Sequence, residues 1–481
     1  MSRSFRWAAL LGAAMVAASP ATAIHRGAPS TAAVAKRDYH ARLTRQRDGS
    51  WLLDYRFSRA APVWFFVRSA PTRQGQSWRL ASWRVETPGV RLERHGRYDS
   101  LVGAGPIDRV RIRITPFAQS LRADYSPFLL FSEGGAAVYD GHYEIYPLQS
   151  AEAAAALPDD LNGVPLDAGG RIEIAAPGGR VLYRGVAHRG RFRRDLGGES
   201  GYAYVGRTPV IETPALAGIF DPGLPPWIRA ELDTFTPRLF ALYRARLGPS
   251  IAARPMALVS WGGAKRPGTS LGGSVLEAMV VLQIEGAQTV AATPAVLQRV
   301  RWFLGHESAH FWMGQTVRYA RRADAWIDEG SADVMAVRAL ERLVPGYDAR
   351  DAFQREVDDC IRENGPGMAL SGASARGNTR ANYACGAVLL LAAEGAVRKR
   401  EAGADAFTWL RGLIDANRAD GKVTQADWLA AFDAATGDPA LGARVRSYLD
   451  SGVADPAAFV AELFAATGVA FSRDSGRIVL R

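Results

Sequence analysis

Two hydrophobic periods divide the chain. From about residue 39 to residue 183, apolar and polar residues mostly alternate, as they do in half-buried β strands. The alternation predicts strands at Trp51–Phe57, Val63–Val67, Trp78–Val85, Val110–Ile114, Tyr143–Tyr146, Arg171–Ile174 and Arg180–Tyr183. Turn-forming Gly, Pro and Asp residues separate these segments. We therefore expect an antiparallel, β-rich N-terminal domain over residues 24–212.

After Pro226 the apolar residues recur with a period near 3.6, which is typical of helices. The predicted helices are Trp227–Leu247, Pro294–Gln315, Asp324–Leu343, Asp348–Asn364 and Asn378–Arg400. The Arg- and Gly-rich stretch Arg189–Gly201, with the Pro-containing stretch up to Pro226, is typical of a link between domains. The fold class is therefore α+β and multidomain, with a mainly helical domain at 213–400 and a short helical region at 401–481.

The first residues have the features of an export signal. Arg3 and Arg6 precede an apolar stretch, Trp7–Ala18, and a small-residue cleavage site follows at residues 21–23. Residues 1–23 are therefore predicted to be a cleaved signal peptide, which places the mature protein in the periplasm or outside the cell. No later segment has the ~20 apolar residues of a membrane helix, so we expect no membrane span in the mature chain.

The composition is that of a globular protein with a basic surface. Of 481 residues 48% are hydrophobic, and the formal net charge is +11. Such a charge could indicate a nucleic-acid partner, but acidic residues are interspersed and there is no run of five or six like charges. We therefore expect a solvated basic surface and no nucleic-acid partner.

The chain has two cysteines, Cys360 and Cys385, and neither lies in a CxxC pair. A thiolate zinc site is therefore excluded, and any metal must be bound by His and carboxylate side chains. In an oxidising compartment the two residues could form one disulfide, or both could be buried free thiols. The sequence leaves these alternatives open.

Residues 306–310 form an HExxH motif. Thr293 can cap a helix that begins at Pro294 and contains the motif. His306 and His310 are then one turn apart on the same face, so both rings can reach one cation while Glu307 lies beside it, toward a bound water. Because the chain has only seven histidines, the motif is expected by chance roughly 0.005 times.

Two histidines alone make a weak site, and catalytic zinc commonly takes three protein ligands and one water. Glu329, separated from His310 by eighteen residues, supplies the third ligand in the pattern HExxH-x18-E. Asp333 lies four residues further on the same helical face. It is placed to accept the free ring N–H of a ligand histidine; the alternative is a solvent-facing side chain.

The segment from His306 to Val317, followed by Trp326 and Glu329-Gly330, resembles the gluzincin metallopeptidases of the aminopeptidase N type. That family carries HExxHxWxGxxV followed by a tryptophan and then EG, and every fixed position is met. The likeness is sharp over about residues 301–391. It implies one zinc ion, a saddle-like N-terminal domain and a thermolysin-like catalytic domain.

The same resemblance implies a role for Tyr383. The family places a tyrosine in a Y-x-x-G-A context after the glutamate ligand, and this chain has Tyr383 followed by Gly386-Ala387. A phenol O–H there would stabilise the oxyanion of the transition state. The alternative is a helix tyrosine that only packs its ring.

One departure from the family concerns substrate binding. Family aminopeptidases carry a G-x-M-E-N strand whose glutamate holds the free amino group of the substrate. Here Gly272 and Gly273 begin the counterpart, and Val275 stands where that carboxylate belongs. Glu277, two residues later, could reach the site only with a register slip; otherwise it is a surface carboxylate.

Together these residues predict an exported zinc metallopeptidase that acts on peptides or proteins, with Glu307 as general base and Tyr383 as oxyanion donor. Aminopeptidase and endopeptidase action both stay open. Two alternatives are an inactive binding protein with a peptidase fold and a zinc hydrolase acting on another substrate. Cobalt or manganese could occupy the same ligands. The oligomeric state is not predicted.

Overall fold

A computed structural model describes residues 37–481, except residues 123, 159–160, 162–163, 167, 213–215 and 253, together with the backbone of Val16–Ala17. The predicted signal peptide therefore lies outside the described residues, apart from that short strand. The chain is mixed α+β.

The strands are β1 (Val16–Ala17), β2 (Tyr39–Arg45), β3 (Trp51–Phe66), β4 (Trp83–Val85), β5 (Val90–His95), β6 (Tyr98–Ile114), β7 (Phe128–Leu130), β8 (Ala136–Tyr139), β9 (Ile145–Leu148), β10 (Gly170–Tyr183), β11 (Val186–Asp195), β12 (Tyr202–Val205), β13 (Ile211–Glu212), β14 (Ala217–Phe220), β15 (Met256–Trp261), β16 (Ser270–Leu276), β17 (Met279–Glu285), β18 (Arg318–Tyr319), β19 (Lys422–Val423), β20 (Phe471–Asp474) and β21 (Arg477–Leu480). The helices are α1 (Trp78–Ser82), α2 (Ala151–Ala155), α3 (Pro226–Leu247), α4 (Pro294–Ala309), α5 (Ala325–Leu343), α6 (Arg350–Glu363), α7 (Thr379–Arg400), α8 (Ala406–Asn417), α9 (Gln425–Thr436), α10 (Pro439–Asp450) and α11 (Pro456–Thr467).

A large curled sheet forms the first half of the chain. Its main path is β4-β6-β3-β2-β10-β12-β8-β7, with β5, β9 and β11 paired at its sides. Its neighbouring strands run antiparallel, as the alternation predicted, except for β2 and β10, which run parallel. Trp51, Leu53 and Tyr55 of β3 are buried while Leu52 and Asp54 between them are half-exposed, so one face holds the core and the other faces solvent.

The strand predicted at Trp78–Val85 is wrong in its first part. Residues 78–82 form helix α1, whose backbone N–H at Leu80 donates to the Ser77 hydroxyl at 3.2 Å, and only β4 is a strand. The alternation misled because Arg79 is completely buried and pairs with Asp99 at 3.2 Å. Arg79 therefore counted as a polar, exposed position in the alternating pattern, although its side chain is buried.

The domain link predicted at Arg189–Gly201 is also wrong in part. The residues up to Asp195 belong to β11, which pairs antiparallel with β10 along the edge of the sheet. Charged side chains on edge strands discourage pairing with other chains, and the exposed arginines of β11 fit that position. The many arginines of this segment therefore reflect an edge strand and not a link between domains.

A second, six-stranded sheet precedes the metal-motif helix, in the order β1-β16-β17-β15-β14-β13. Only residues 272–276 of this sheet were predicted as a strand from the sequence. Strands β15 and β17 are buried almost continuously, so their sequences show no alternation to distinguish them from buried helix. Helix α3 joins the parallel strands β14 and β15, and β16 with β17 forms a hairpin beside α4.

The five predicted helices of the second half are confirmed as α3 to α7, each within a few residues except that α4 ends at Ala309, well before Gln315. Thr293 caps α4 by accepting a hydrogen bond from the Val296 N–H at 3.4 Å, and Pro294 is the first helical residue, as predicted. No helix in the described ranges is long and apolar enough to cross a membrane.

Candidate metal centre

Helices α4 and α5 bring His306, His310 and Glu329 together. The two His Nε2 atoms are 3.2 Å apart, and the Glu329 Oε2 atom lies 3.4 Å from His306 Nε2 and 3.5 Å from His310 Nε2. His306 and Glu329 are buried, and His310 is nearly so. The three atoms therefore form an almost equilateral triangle.

The hydrogen bonds of the two ring Nδ1 atoms determine which nitrogen of each histidine carries the proton. His306 Nδ1 is 2.8 Å from Asp333 Oδ1, and His310 Nδ1 is 2.9 Å from the carbonyl oxygen of Met313. A carboxylate and a carbonyl only accept, so each Nδ1 carries a proton, and each ring in its neutral form presents a lone pair at Nε2. Glu329 Oε2 has no hydrogen-bond partner among the described residues. With both rings neutral, three lone-pair atoms thus converge on one point, which is the arrangement that a divalent cation needs.

The triangle fits a zinc ion. With bonds of about 2.1 Å and tetrahedral angles, two zinc ligands lie about 3.4 Å apart. Burial would raise the pKa of Glu329, but His310 and His306 beside it lower that pKa to about 2, so the side chain is a carboxylate at neutral pH. The three residues form a group that could bind one divalent ion.

Glu307 is buried beside the three ligands, and burial raises the pKa of its carboxyl group. Its carboxylate lies against Gly273 of strand β16: a Cβ atom at Gly273 would be 2.0 Å from the Glu307 carboxyl carbon. The hairpin of the second sheet therefore passes directly over this side chain. A carboxylic acid with a raised pKa is suited to exchanging protons near neutral pH.

Tyr383 of helix α7 stacks on His306, with ring centroids 5.5 Å apart and an angle of 13° between the rings. Burial raises the pKa of Tyr383 well above its ordinary value, and the carboxylates of Glu329 and Glu307 raise it further. The phenol therefore keeps its proton. It presents an O–H donor beside the candidate metal ligands.

A contact between two glycines sets the distance between α5 and α7. A Cβ atom at Gly330 would lie 2.2 Å from the carbonyl carbon of Gly386, and one at Gly386 would lie 2.1 Å from the backbone oxygen of Trp326. Larger residues would force the helices apart. Glu329 directly precedes Gly330, and Tyr383 lies three residues before Gly386. The contact between the two glycines therefore keeps Glu329 and Tyr383 in the same site.

Asp333 connects the candidate metal ligand His306 to helix α6 through Arg380. Its Oδ2 lies 3.6 Å from Arg380 Nη1, while the other guanidinium nitrogens reach Asp359 at 2.7 Å and Glu356 at 2.8 Å. Asp333 was predicted from the sequence, whereas Arg380 was not. Its role depends on the packing of α6 against α7, for which the sequence offers no local signal.

Trp302 is a second residue that the sequence analysis missed. Its ring lies 5.4 Å from the His306 ring, centroid to centroid. A local signal was present, because Trp302 precedes His306 by four residues on one helix and therefore shares its face.

The structure places the remaining predicted substrate residues on or beyond strand β16. Val275 is half-buried and packs against the core of the helical half. Glu277 follows the strand, is partly exposed, and pairs with Arg184 at 2.7 Å. Gly273 therefore lies against the cluster through Glu307, whereas a Cβ atom at Gly272 would face Gln283 and the carboxylate of Glu277 is engaged elsewhere.

Cys360 and Cys385, for which the sequence left two alternatives, form a disulfide. It joins α6 to α7 one residue after Asp359 and two residues after Tyr383. Helices α6 and α7 are thus tied together beside the Arg380 network.

Comparison with known proteins gives distant structural neighbours. No protein-family model and no curated protein matches the chain. A crystal structure of the M1 zinc metallopeptidase from Deinococcus radiodurans matches at 16% identity and a TM-score of 0.44, covering 86% of this chain and 93% of that one. A mutant of an M1 zinc metallopeptidase from the same organism, bound to a Tyr-Ser-Ala substrate, matches at 15% identity and a TM-score of 0.44, covering 88% and 96%. These similarities are low, so the function of the chain has to be inferred from its own residues.

Proposed function

We propose that the chain is an exported zinc-dependent peptidase. The observation that supports this most directly is the triangle of His306 Nε2, His310 Nε2 and Glu329 Oε2, whose edges of 3.2 to 3.5 Å match those of a tetrahedral zinc site. Both imidazoles are held in the tautomer that leaves Nε2 free. The donor set of two histidines and one glutamate is that of a catalytic site with one position left for water.

The surrounding residues supply the other parts of a hydrolytic mechanism. A zinc ion, when bound, would polarise the scissile carbonyl and acidify a water. Glu307 takes a proton from the attacking water and delivers it to the leaving amine. Tyr383 donates its O–H to the developing oxyanion. Asp333 holds the ring of His306 in place through the Nδ1 proton.

The same proposal assigns a role to each range of the chain. Residues 1–23 would be removed on export to the periplasm or the medium. Residues 24–212 would form a saddle-like β domain, 213–400 a thermolysin-like catalytic domain, and 401–481 a C-terminal helical region. The second sheet, with its hairpin over Glu307, and helices α4, α5 and α7 support the central assignment, because together they contain the whole site.

We also infer that the enzyme does not depend on a free amino terminus in its substrate. Val275 supplies no charge on strand β16, and Glu277 is already paired with Arg184. Loss of a charge-assisted hydrogen bond to an ammonium group removes about 1.5–3 kcal/mol of discrimination. N-acetylated and free peptides should therefore be cleaved at comparable rates, which mass spectrometry of the products can test.

The central experiment compares wild-type protein with Glu307→Gln on a mixed peptide library, with and without a chelator. We expect cleavage by the wild type that stops on chelation and returns with zinc. The variant should retain zinc, measured by elemental analysis, and lose turnover. Cleavage that resists chelation would refute the metal mechanism. Binding without cleavage would favour the alternative of an inactive peptidase fold.

A further inference from the structure

A row of basic side chains, three arginines and one histidine, crosses the solvent-facing side of the large sheet. Arg171 of β10, His40 of β2, Arg56 of β3 and Arg109 of β6 are direct neighbours in the strand register. The row contains one acid, Asp195, opposite Arg171 at one end. No ion pair is found for Arg56 or Arg109 within the described ranges. Arg56 and Arg109 lie directly opposite each other, and like charges in that position destabilise a sheet, so folding alone does not favour this pair.

The next row on the same face, two residues along each strand, has the opposite character. It alternates in sign across Arg193, Glu173, Arg42, Asp54 and Arg111. Ion pairs join its members, with Arg42 3.1 Å from Glu173 and Arg111 2.7 Å from Asp54. Ion pairing therefore explains this second row, which we call the compensated row. The first row, of Arg171, His40, Arg56 and Arg109, is the uncompensated row, and the two rows can be compared within one sheet.

The uncompensated row borders a cavity of about 550 Å³. Its lining includes His40 and four arginines, which are Arg37, Arg56, Arg171 and Arg193. Asp195 is shared by Arg37 at 3.4 Å and Arg171 at 2.7 Å, and Glu173 is shared by Arg193 and Arg42. Positive charge thus exceeds negative charge around the cavity. Residues 24–36, which precede it in the chain, include no Asp or Glu.

We propose that this cavity binds a phosphate-bearing anion. Guanidinium groups bind phosphate oxygens through paired N–H donors, and several arginines converge here from different strands. A single carboxylate would neutralise only part of the excess charge, whereas a phosphate ester has about two negative charges at neutral pH. The ligand supplies the counter-charge that the first row lacks. The site lies on the N-terminal sheet and is independent of the proposed peptidase chemistry.

The test measures binding of inorganic pyrophosphate to the full chain by calorimetry, at constant ionic strength. Two matched variants each remove one exposed arginine from neighbouring strands: Arg56→Gln in the uncompensated row and Arg111→Gln in the compensated row. We expect Arg56→Gln to weaken binding about tenfold or more and Arg111→Gln to change it less than about twofold. Without ligand, Arg56→Gln should melt no lower than the wild type, because it removes repulsion. Equal losses in both variants, or no binding by the wild type, would overturn the proposal.

Further binding measurements identify the chemical class of the ligand and whether it is a lipid or a soluble molecule. Citrate has a similar charge but only carboxylates, and binding as tight as that of pyrophosphate would overturn the assignment to phosphate. Vesicles that contain phosphatidic acid, a lipid phosphomonoester, would support a lipid headgroup as the natural ligand if they compete with pyrophosphate. Pyrophosphate binding without vesicle binding would support a soluble phosphate ester.

Discussion

Gly273 and Glu307 are in such close contact that any side chain at residue 273 would displace the Glu307 carboxylate. A Cβ atom there would lie 2.0 Å from the Glu307 carboxyl carbon and 2.0 Å from its Oε1. The atom that such a Cβ would displace is the end of a flexible side chain rather than backbone. A substitution would therefore move the proposed base and leave the strand in place.

We expect Gly273→Ala to fold and to bind zinc but to lower kcat by about 10²-fold, because a positioned general base contributes about 10²–10⁴-fold to a rate. Steady-state kinetics and the melting temperature measure the two effects separately. Gly272→Ala is the matched control, since its Cβ would have Gln283 Oε1 as its nearest neighbour at 3.8 Å. Equal activity of the two variants would contradict the proposed position of Glu307.

Asp333→Ala should weaken zinc binding about 10- to 100-fold, because residues that orient a ligand histidine commonly have effects of that size. The physical reason is the 2.8 Å contact between Asp333 Oδ1 and His306 Nδ1, which fixes both the ring and its tautomer. Titration against a competing chelator measures the affinity. An unchanged dissociation constant with wild-type circular dichroism would show that Asp333 does not orient the ligand.

The parts of the site that the sequence predicted are those fixed by local geometry. His306 and His310 share a face because they are one helical turn apart, and the cap at Thr293 follows from its side chain. Helices α3 to α7 were predicted for the same reason, since each has an amphipathic or apolar period. The glycines at 330 and 386 were matched through the family pattern, and the structure explains them as the contact between α5 and α7.

The parts that were missed depend on tertiary packing or on buried polar residues. Arg380 reaches Asp333 and two acids of α6 only because α6 and α7 are neighbours. Arg79 produced a false strand because its charge is buried beside Asp99. Strands β15 and β17 were missed because burial on both faces removes the alternation that identifies a strand.

Arg380→Met should reduce zinc affinity less than Asp333→Ala does, and it should lower kcat while KM stays near the wild-type value. The guanidinium acts only through Asp333 and through the acids Glu356 and Asp359, so its effect on the metal is indirect. Arg362→Met is the control, because Arg362 also pairs with Asp359 but is more exposed and has no contact with Asp333. Partial recovery in Arg380→Lys would support the charge as the cause. Equal effects of the two methionine variants would assign Arg380 a purely structural role.

Tyr383→Phe should retain zinc and fold normally but lower kcat about 10²- to 10³-fold, as loss of one oxyanion donor does. The substitution keeps the ring that stacks on His306 at 5.5 Å and removes only the hydroxyl. Kinetics on one peptide, together with the zinc content, measure both effects. A variant with the wild-type kcat would leave Tyr383 with the packing role alone.

Replacing Cys360 and Cys385 together with alanine should lower the free energy of unfolding by about 3.5 kcal/mol, the loop-entropy value for a separation of 25 residues. The cross-link restricts the unfolded chain, and it also ties α6 to α7 beside Arg380, so kcat should fall as well. Urea unfolding and peptide kinetics measure the two effects. Reductant should destabilise the wild type and leave the double variant unchanged, which separates loss of the disulfide from other effects of the reagent. A variant as stable as the oxidised wild type would show that packing of α6 against α7 holds the helices without the covalent bond.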